Sequence, residues 1–222
     1  AHAVWYLASG MSEPTPKLWS QALHLLRYLK GTMNNKLTYT LDSLNAANEE
    51  MLNLTGIGYK PNEPSGFTDS NWGVERSVSS NVMMVNNAAI LWRVRKQHCI
   101  SLSAVQAELI ALTALCQDVE YLRELYDWLQ MELKGPTKIY CDNRGAIANA
   151  RHPAYSDRLR HVQRSVFYCR QVISDKAAEV FWIPTALNPA DLGTKNLGQN
   201  LHRLFGNFLL GGPLGLSSRK SV

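Results

Sequence analysis

Thr137-Lys138-Ile139-Tyr140-Cys141, running directly into Asp142-Asn143, is the stretch on which the fold turns. Its apolar and β-branched residues, closed off by a polar pair, read as a buried strand. A carboxylate at the end of such a strand cannot be buried unpaired. Upstream, Val105, Leu109, Leu112, Cys116, Val119, Leu122, Leu125 and Leu129 step by threes and fours and mark a long amphipathic helix. Before that helix, short apolar runs lie at Gly66 to Asp69, Val82 to Val85, Ala88 to Trp92 and Cys99 to Leu102, and Asn86-Asn87 suits a hairpin turn. Downstream come a short helix around Ala146, a basic helix from about Asp157 to Ile173, a strand from Glu179 to Ile183 and a helix opening near Asn188-Pro189. Three strands, a helix, a strand, helices, a strand and a final helix predict an α/β fold, a mixed five-stranded sheet flanked by helices.

A chain of 222 residues can bury one full core. Leu18, Ala22, Leu25, Leu26 and Leu29 set a further helix near the start, stopped at Gly31. Asp42 to Pro64 is instead rich in Asn, Glu, Gly and Pro and has no sustained period. The expected division is a leading segment over 1–35, a linker or insertion over 36–64, the main domain over 65–200 and a tail over 201–222. Hydrophobic residues at 45% and charged residues at 18% exclude the disordered and fibrous classes. No apolar run approaches the roughly 18 residues a membrane-spanning helix needs, so no membrane partner is expected. The apolar start from Ala1 to Ala8 has no basic leader and does not begin with Met, and is expected to be a cut in a longer chain rather than a signal peptide. Cys99, Cys116, Cys141 and Cys169 are far apart, with no Cys-x-x-Cys pair, which argues against structural zinc and for free thiols in a reducing compartment.

Four acids occupy unusual places. Asp69 follows Gly66-Phe67-Thr68 in the first strand, Glu108 opens the long helix, Asp142 ends the buried strand, and Asp191 lies near the start of the last helix. Singly, each has a plain structural explanation as a turn cap, a solvated rim or a partner of a helix dipole. Together they have another. If the strands holding Asp69 and Asp142 are neighbours, the two carboxylates converge at one sheet edge, with Glu108 and Asp191 delivered from helices beside it. Unit charges about 4 Å apart repel by roughly 4 kcal/mol at an effective dielectric near 20, so the cluster calls for cations. Oxygen ligands without His or Cys favour magnesium, with manganese as a substitute, over zinc. A pair of such ions suits in-line displacement at a phosphodiester.

Gly66-Phe67-Thr68-Asp69-Ser70-Asn71-Trp72 resembles the first-strand motif of the ribonuclease H domains in copia-type LTR retrotransposon Pol polyproteins. Arg76-Ser77, Leu91-Trp92 with Lys96-Gln97, Leu102-Ser103 with Ala107-Glu108, Asp142-Asn143 with Ala146-Ile147, and Asn188-Pro189-Ala190-Asp191-Leu192 with Thr194-Lys195 are similar to further motifs of that family, in its order. Leu26-Arg27-Tyr28-Leu29-Lys30-Gly31-Thr32 resembles the helix that ends the reverse transcriptase region of the same polyproteins, which would make 1–35 a remnant of that region. The resemblance implies a ribonuclease-H-like fold, with Asp69, Glu108, Asp142 and Asp191 as catalytic ligands of two Mg2+ ions. It also implies hydrolysis of the RNA strand of RNA–DNA hybrids, leaving a 5′-phosphate and a 3′-hydroxyl. The sequence departs from the family at Gln106, where a Glu is usual, at Asn81, where a Gly is usual, and at Gln163, where Arg160-His161-Val162-Gln163 lacks a final acid.

A nuclease for hybrids reads duplex shape, phosphates and sugar hydroxyls rather than bases. Arg158, Arg160, His161 and Arg164 on the basic helix, with Arg144 before it, are either a phosphate-binding face or a solvated one; the net charge of +5 already includes the four negative charges of the acid cluster. Ser70 and Asn143 adjoin the acids and are candidates for sugar contacts, while Trp72 either stacks near substrate or packs in the core. The expected partners are an RNA–DNA hybrid and the reverse transcriptase region, and the expected location is the retrotransposon particle in the cytoplasm, with the nucleus as a further site. The competing functions are a decayed or host-recruited domain that binds without cleaving, a polymerase, and an integrase-like strand transferase. No adjacent Asp pair supports polymerase chemistry, and no His/Cys module supports the last.

Overall fold

The computed structural model of the chain describes residues 2–55, 58, 60–73, 76–152 and 162–212. Its elements in chain order are α1 (His2–Ser9), α2 (Pro16–Gly31), α3 (Leu41–Thr55), β1 (Ser65–Asn71), β2 (Val78–Val85), β3 (Ala88–Lys96), α4 (Ala104–Trp128), β4 (Thr137–Cys141), α5 (Arg144–Arg151), α6 (Gln163–Ser174), β5 (Ala178–Trp182) and α7 (Gln199–Leu209), with short 3-10 turns at Thr185–Leu187 and Pro189–Gly193 before α7. The five strands form one sheet in the order β3-β2-β1-β4-β5. β1, β2 and β3 run antiparallel, and β4 and β5 add in parallel on the other side of β1. This is the mixed five-stranded α/β sheet expected from the sequence. Asn86 and Asn87, both at positive φ (49° and 64°), make the β2–β3 turn. A two-residue hairpin turn needs that left-handed geometry, and Asn tolerates it better than most residues.

One face of the sheet is covered by α4, α5 and α6. Leu109, Leu112, Leu115, Cys116 and Val119 of α4 pack with Ile139, Val166, Cys169 and Val180 in a continuous core. Each large aliphatic side chain fully buried there contributes about 1.5–3 kcal/mol. The other face carries Phe67, Val82, Met84 and Tyr140, covered by Met51, Ile183, Ala190, Phe205 and Phe208. Phe67 stacks on Tyr140 with ring centroids 4.9 Å apart and meets Phe208 edge-on at 6.0 Å.

Several sequence expectations shift. The interval 36–64, read as a linker or insertion, carries α3, whose Leu44 and Met51 are buried. Their spacing of seven residues puts only two anchors on one face, too few to register as a period. The interval 201–222, read as a tail, begins inside α7, and Phe205 and Phe208 are fully buried. The apolar run at Cys99–Leu102 is a loop, so three strands precede α4, as expected. Ser101 Oγ donates to Gln97 Oε1 (2.8 Å), and the loop leads into the Ser103 cap of α4. The helix expected at Asn188-Pro189 is a five-residue 3-10 turn, since Pro189 opens it and Gly193 closes it. The basic helix is described from Gln163 onward; Arg158, Arg160 and His161 lie outside the described residues.

Candidate active site

Parallel pairing of β1 with β4 ends at Thr68 opposite Cys141, so Asp69 and Asp142 are the next residues on neighbouring strands. Glu108 arrives from the first turns of α4. There Ser103 caps the helix by accepting from the Gln106 N–H (3.3 Å), and Gln106 Oε1 accepts from the Leu102 N–H (2.8 Å). Gln106 thus completes a reciprocal cap at the position where the family resemblance led to expectation of an acid. Asn81, the second departure, accepts from Thr68 Oγ1 (2.7 Å) and donates to the Ala111 carbonyl (3.0 Å), tying β1, β2 and α4 together beneath the acids.

Asp191 is set by Asn188, which is fully buried. Its Oδ1 accepts from the Ala190 N–H (3.2 Å), and its Nδ2 donates to the Thr68 carbonyl (2.9 Å), one residue before Asp69. Gly193 then passes so close to β2 that an added Cβ would sit 2.1 Å from Ser80 Oγ, so no side chain fits there.

The four acids meet. Carboxylate oxygens of Asp69, Asp142 and Asp191 lie within 4.8 Å of one another, and an equally tight group joins Glu108, Asp142 and the Cys141 thiol. Asp142 belongs to both groups. Asp69, Glu108 and Asp191 are buried and Asp142 is half-buried. Burial, followed by the charges of Asp69 and Asp142, pushes the Glu108 carboxyl up to about 9. Burial and then the Asp69 charge push Asp191 up to about 7. Asp69 is also raised by burial, against a hydrogen bond from Thr194 Oγ1 and the charge of Lys195 that pull it down. Cys141 is held well above the usual thiol range by burial and then by Glu108, which keeps it a thiol beside the oxygen donors.

Two residues with no expected role take part. Lys195 Nζ lies 2.7 Å from Asp191 Oδ1 and 3.4 Å from Asp69 Oδ1. Burial works against its charge, but the Asp191 hydrogen bond and the surrounding carboxylates outweigh this and raise its pKa. Trp182 donates from Nε1 to the Asp142 carbonyl (3.0 Å), and the Arg144 guanidinium lies over its ring at 4.0 Å from the centroid. The i,i+4 spacing of Asp191 and Lys195 was the available signal for the first; nothing local announced the second.

Of the proposed substrate residues, Arg144 and Arg164 are exposed. Ser70 is buried, and its N–H donates to Glu108 Oε1 (3.2 Å). Asn143 accepts from the Ala146 N–H (3.0 Å) and so caps α5. Trp72 is 60% exposed, held by a bond from Nε1 to the Ser101 carbonyl (2.9 Å), which removes the core alternative.

Glu108 Oε2 is buried and has no hydrogen-bond partner. A buried carboxylate oxygen left unsatisfied is costly, and a hard cation would satisfy it. The donor set therefore fits a divalent metal.

No family model matches the chain. The chain is 27% identical over 204 residues to the retrovirus-related Pol polyprotein from transposon TNT 1-94 of Nicotiana tabacum, covering 92% of the chain and 14% of the relative. It is 26% identical over 214 residues to the corresponding polyprotein from transposon RE2 of Arabidopsis thaliana, covering 93% and 14%. It thus spans about a seventh of the length of these curated relatives. Secreted RxLR effector protein 161 of Plasmopara viticola is 30% identical over 122 residues, which are 55% of this chain and 77% of that protein. Among solved structures, the N-terminal ribonuclease H domain of Rv2228c from Mycobacterium tuberculosis aligns with a TM-score of 0.46 and 12% identity over 60% of this chain and 90% of that one. Over more than nine-tenths of its length the chain is thus related in sequence to Pol polyproteins of plant retrotransposons.

Proposed function

We propose that this protein is a ribonuclease H, an endonuclease that hydrolyses the RNA strand of RNA–DNA hybrids during retrotransposon reverse transcription. The convergence of Asp69, Glu108, Asp142 and Asp191 from four separate elements carries this reading, and the polyprotein relatives support it. Asp69, Glu108, Asp142 and Asp191 would hold two Mg2+ ions. When bound, such ions supply charge stabilisation for the attacking water and the leaving oxygen of a phosphodiester. The chain's own part is to hold the acids in place: Asn188 fixes the Asp191 turn, Trp182 fixes the Asp142 backbone, and Thr194 donates to Asp69. Arg144, stacked on Trp182 beside the acids, and Arg164 on α6 would bind phosphates. Residues 1–35 would be the end of the reverse transcriptase region; α1 and α2 bury no residue, and Trp19 and Leu26 of α2 stay exposed. The protein would then act in the retrotransposon particle in the cytoplasm and, after import, in the nucleus.

The test is cleavage of a labelled RNA–DNA hybrid with and without Mg2+, in the parent and in Asp142→Asn. The variant keeps the shape of the side chain and removes one charged ligand, so the loss falls on the transition state rather than on binding. Cleavage is expected to fall at least about 100-fold, or about 2.7 kcal/mol at 1.36 kcal/mol per tenfold. Hybrid affinity measured in calcium is expected to stay within about threefold. A second reading, a domain that binds without cutting, rests on the departures from the family pattern at Gln106, Asn81 and Gln163. A parent protein that binds hybrid and never cuts it would establish that reading instead.

A further inference from the structure

The acid cluster is not evenly compensated. On one side, Asp69 and Asp191 already share a cation, the Lys195 ammonium, at 3.4 and 2.7 Å, and Thr194 Oγ1 occupies the second oxygen of Asp69. Lys195 is also tied through its backbone, its N–H donating to the Asp191 carbonyl (2.9 Å), so its side chain is delivered to the acids by the same 3-10 turn that delivers Asp191. On the other side, Glu108 has one oxygen engaged by the Ser70 N–H and one buried oxygen with no partner, and no Lys or Arg among the described residues pairs with Glu108 or Asp142.

We propose that Lys195 is an internal counter-cation that blocks one half of the acid cluster, so that divalent ions enter sequentially: the first at Glu108 and Asp142, the second at Asp69 and Asp191 only after the Lys195 ammonium is displaced. This rests on the metal-dependent reading of the site. A group that must be displaced lowers the apparent affinity for whatever replaces it, by the free energy of the contacts it gives up. Two hydrogen-bonded ion pairs to buried carboxylates put that factor at about tenfold or more. The displaced ammonium would come to rest beside the cluster, because Lys195 is 36% exposed and its stem reaches solvent. There it would be a ready partner for the phosphate whose hydrolysis the ions serve, coupling occupancy of the second position to the arrival of substrate.

The test is Mn2+ binding to the full chain, with free ion counted by electron paramagnetic resonance. The parent is expected to bind a first ion at least about tenfold more tightly than a second. Lys195→Met, which keeps length and removes charge, is expected to tighten the second ion at least about tenfold while lowering the metal-free melting midpoint. Lys17→Met, an exposed lysine on α2, controls for net charge and is expected to change neither. A purely structural lysine would give the opposite sign, with weaker metal binding in Lys195→Met. Unchanged or weaker binding of the second ion in a folded variant overturns the proposal. If Lys195→Met does not fold, the parent decides: the Lys195 amine should react slowly with an acylating reagent without metal and several times faster at Mn2+ concentrations that fill the second position. Equal rates overturn the proposal. If neither protein binds Mn2+ at all, the metal-dependent reading fails and the proposal fails with it.

Discussion

The two faces of the sheet are covered in different ways. One is sealed by three helices that are nearly consecutive, α4, α5 and α6, and its core is dominated by the 25 residues of α4. The other is sealed by fragments from both ends of the described chain: Met51 of α3, Ala190 of a 3-10 turn, and Phe205 and Phe208 of α7. The acid cluster lies where the two layers meet. Glu108 belongs to the first layer and Asp191 to the second, while Asp69 and Asp142 come from the sheet between them. A site split in this way stays assembled only while both layers are docked.

The largest expected effect breaks the second layer. Phe205→Ala is expected to cost about 3–5 kcal/mol, as much as a deletion in the α4 core such as Leu112→Ala, and to weaken metal binding more than Leu112→Ala does, because Asp191 hangs on that layer. A thermal or denaturant melt checks the first part and Mn2+ titration the second. If α7 were a loose tail, Phe205→Ala would change the stability by less than about 0.5 kcal/mol.

A second effect separates the layers by pH. Glu108 ionises near 4.5 when free and near 9 in the metal-free fold, so the folded state binds its proton more tightly and stability is lost as pH rises from about 4.5 to about 9. Asp191 has the same sign over a lower window, from 3.8 to about 7. The metal-free melting midpoint is therefore expected to fall as pH rises from 5 to 9. Glu108→Gln should flatten the curve above about pH 7 and leave the Asp191 slope below it, whereas Asp191→Asn should reduce the slope only below about pH 7. Identical curves for the two variants would refute the split.

The smallest effect concerns substrate. Arg144 and Arg164 lie on the α4 side, and Arg203 is exposed on α7. Replacing Arg144 or Arg164 by Ala should make the log–log salt dependence of hybrid binding shallower by about 0.9 each, and Arg203→Ala should leave it unchanged. An equal response from Arg203 would mean that substrate approaches both layers.

The first layer was legible in the sequence because one long helix sets eight apolar residues three or four apart, and the strands stood out as apolar runs broken by turn residues, although their order in the sheet did not. The second layer was read poorly for a physical reason. Leu44 and Met51 of α3 are two anchors in a polar helix, and Phe205 and Phe208 of α7 are buried by contacts with residues more than a hundred positions away. No local pattern states that distance. Leu201, Leu204, Phe205, Phe208 and Leu209 did carry a helical period that could have been read. The positions of Asp69, Glu108, Asp142 and Asp191 could be reasoned from strand ends and a helix start, but Asn188, Trp182 and Lys195 act through bonds that exist only once β1, β4 and the 3-10 turn are side by side.

The bond from Thr194 Oγ1 to Asp69 closes a loop of 125 residues, and the contact from Lys195 closes one of 126. Every acid except Asp191 is therefore made long before the segment that completes the cluster. During synthesis at about 5–20 residues per second, a nascent chain that has passed Asp142 but not Asp191 holds three carboxylates and lacks the turn that organises the fourth. Such a chain can dock β1 against β4 and α4, yet it has no complete centre until the region beyond Lys195 has emerged. If the protein is the proposed nuclease, ribosome-bound or truncated products ending before that point would carry Arg144 and Arg164 and bind without cutting, so cleavage would wait for the segment that bears Asp191.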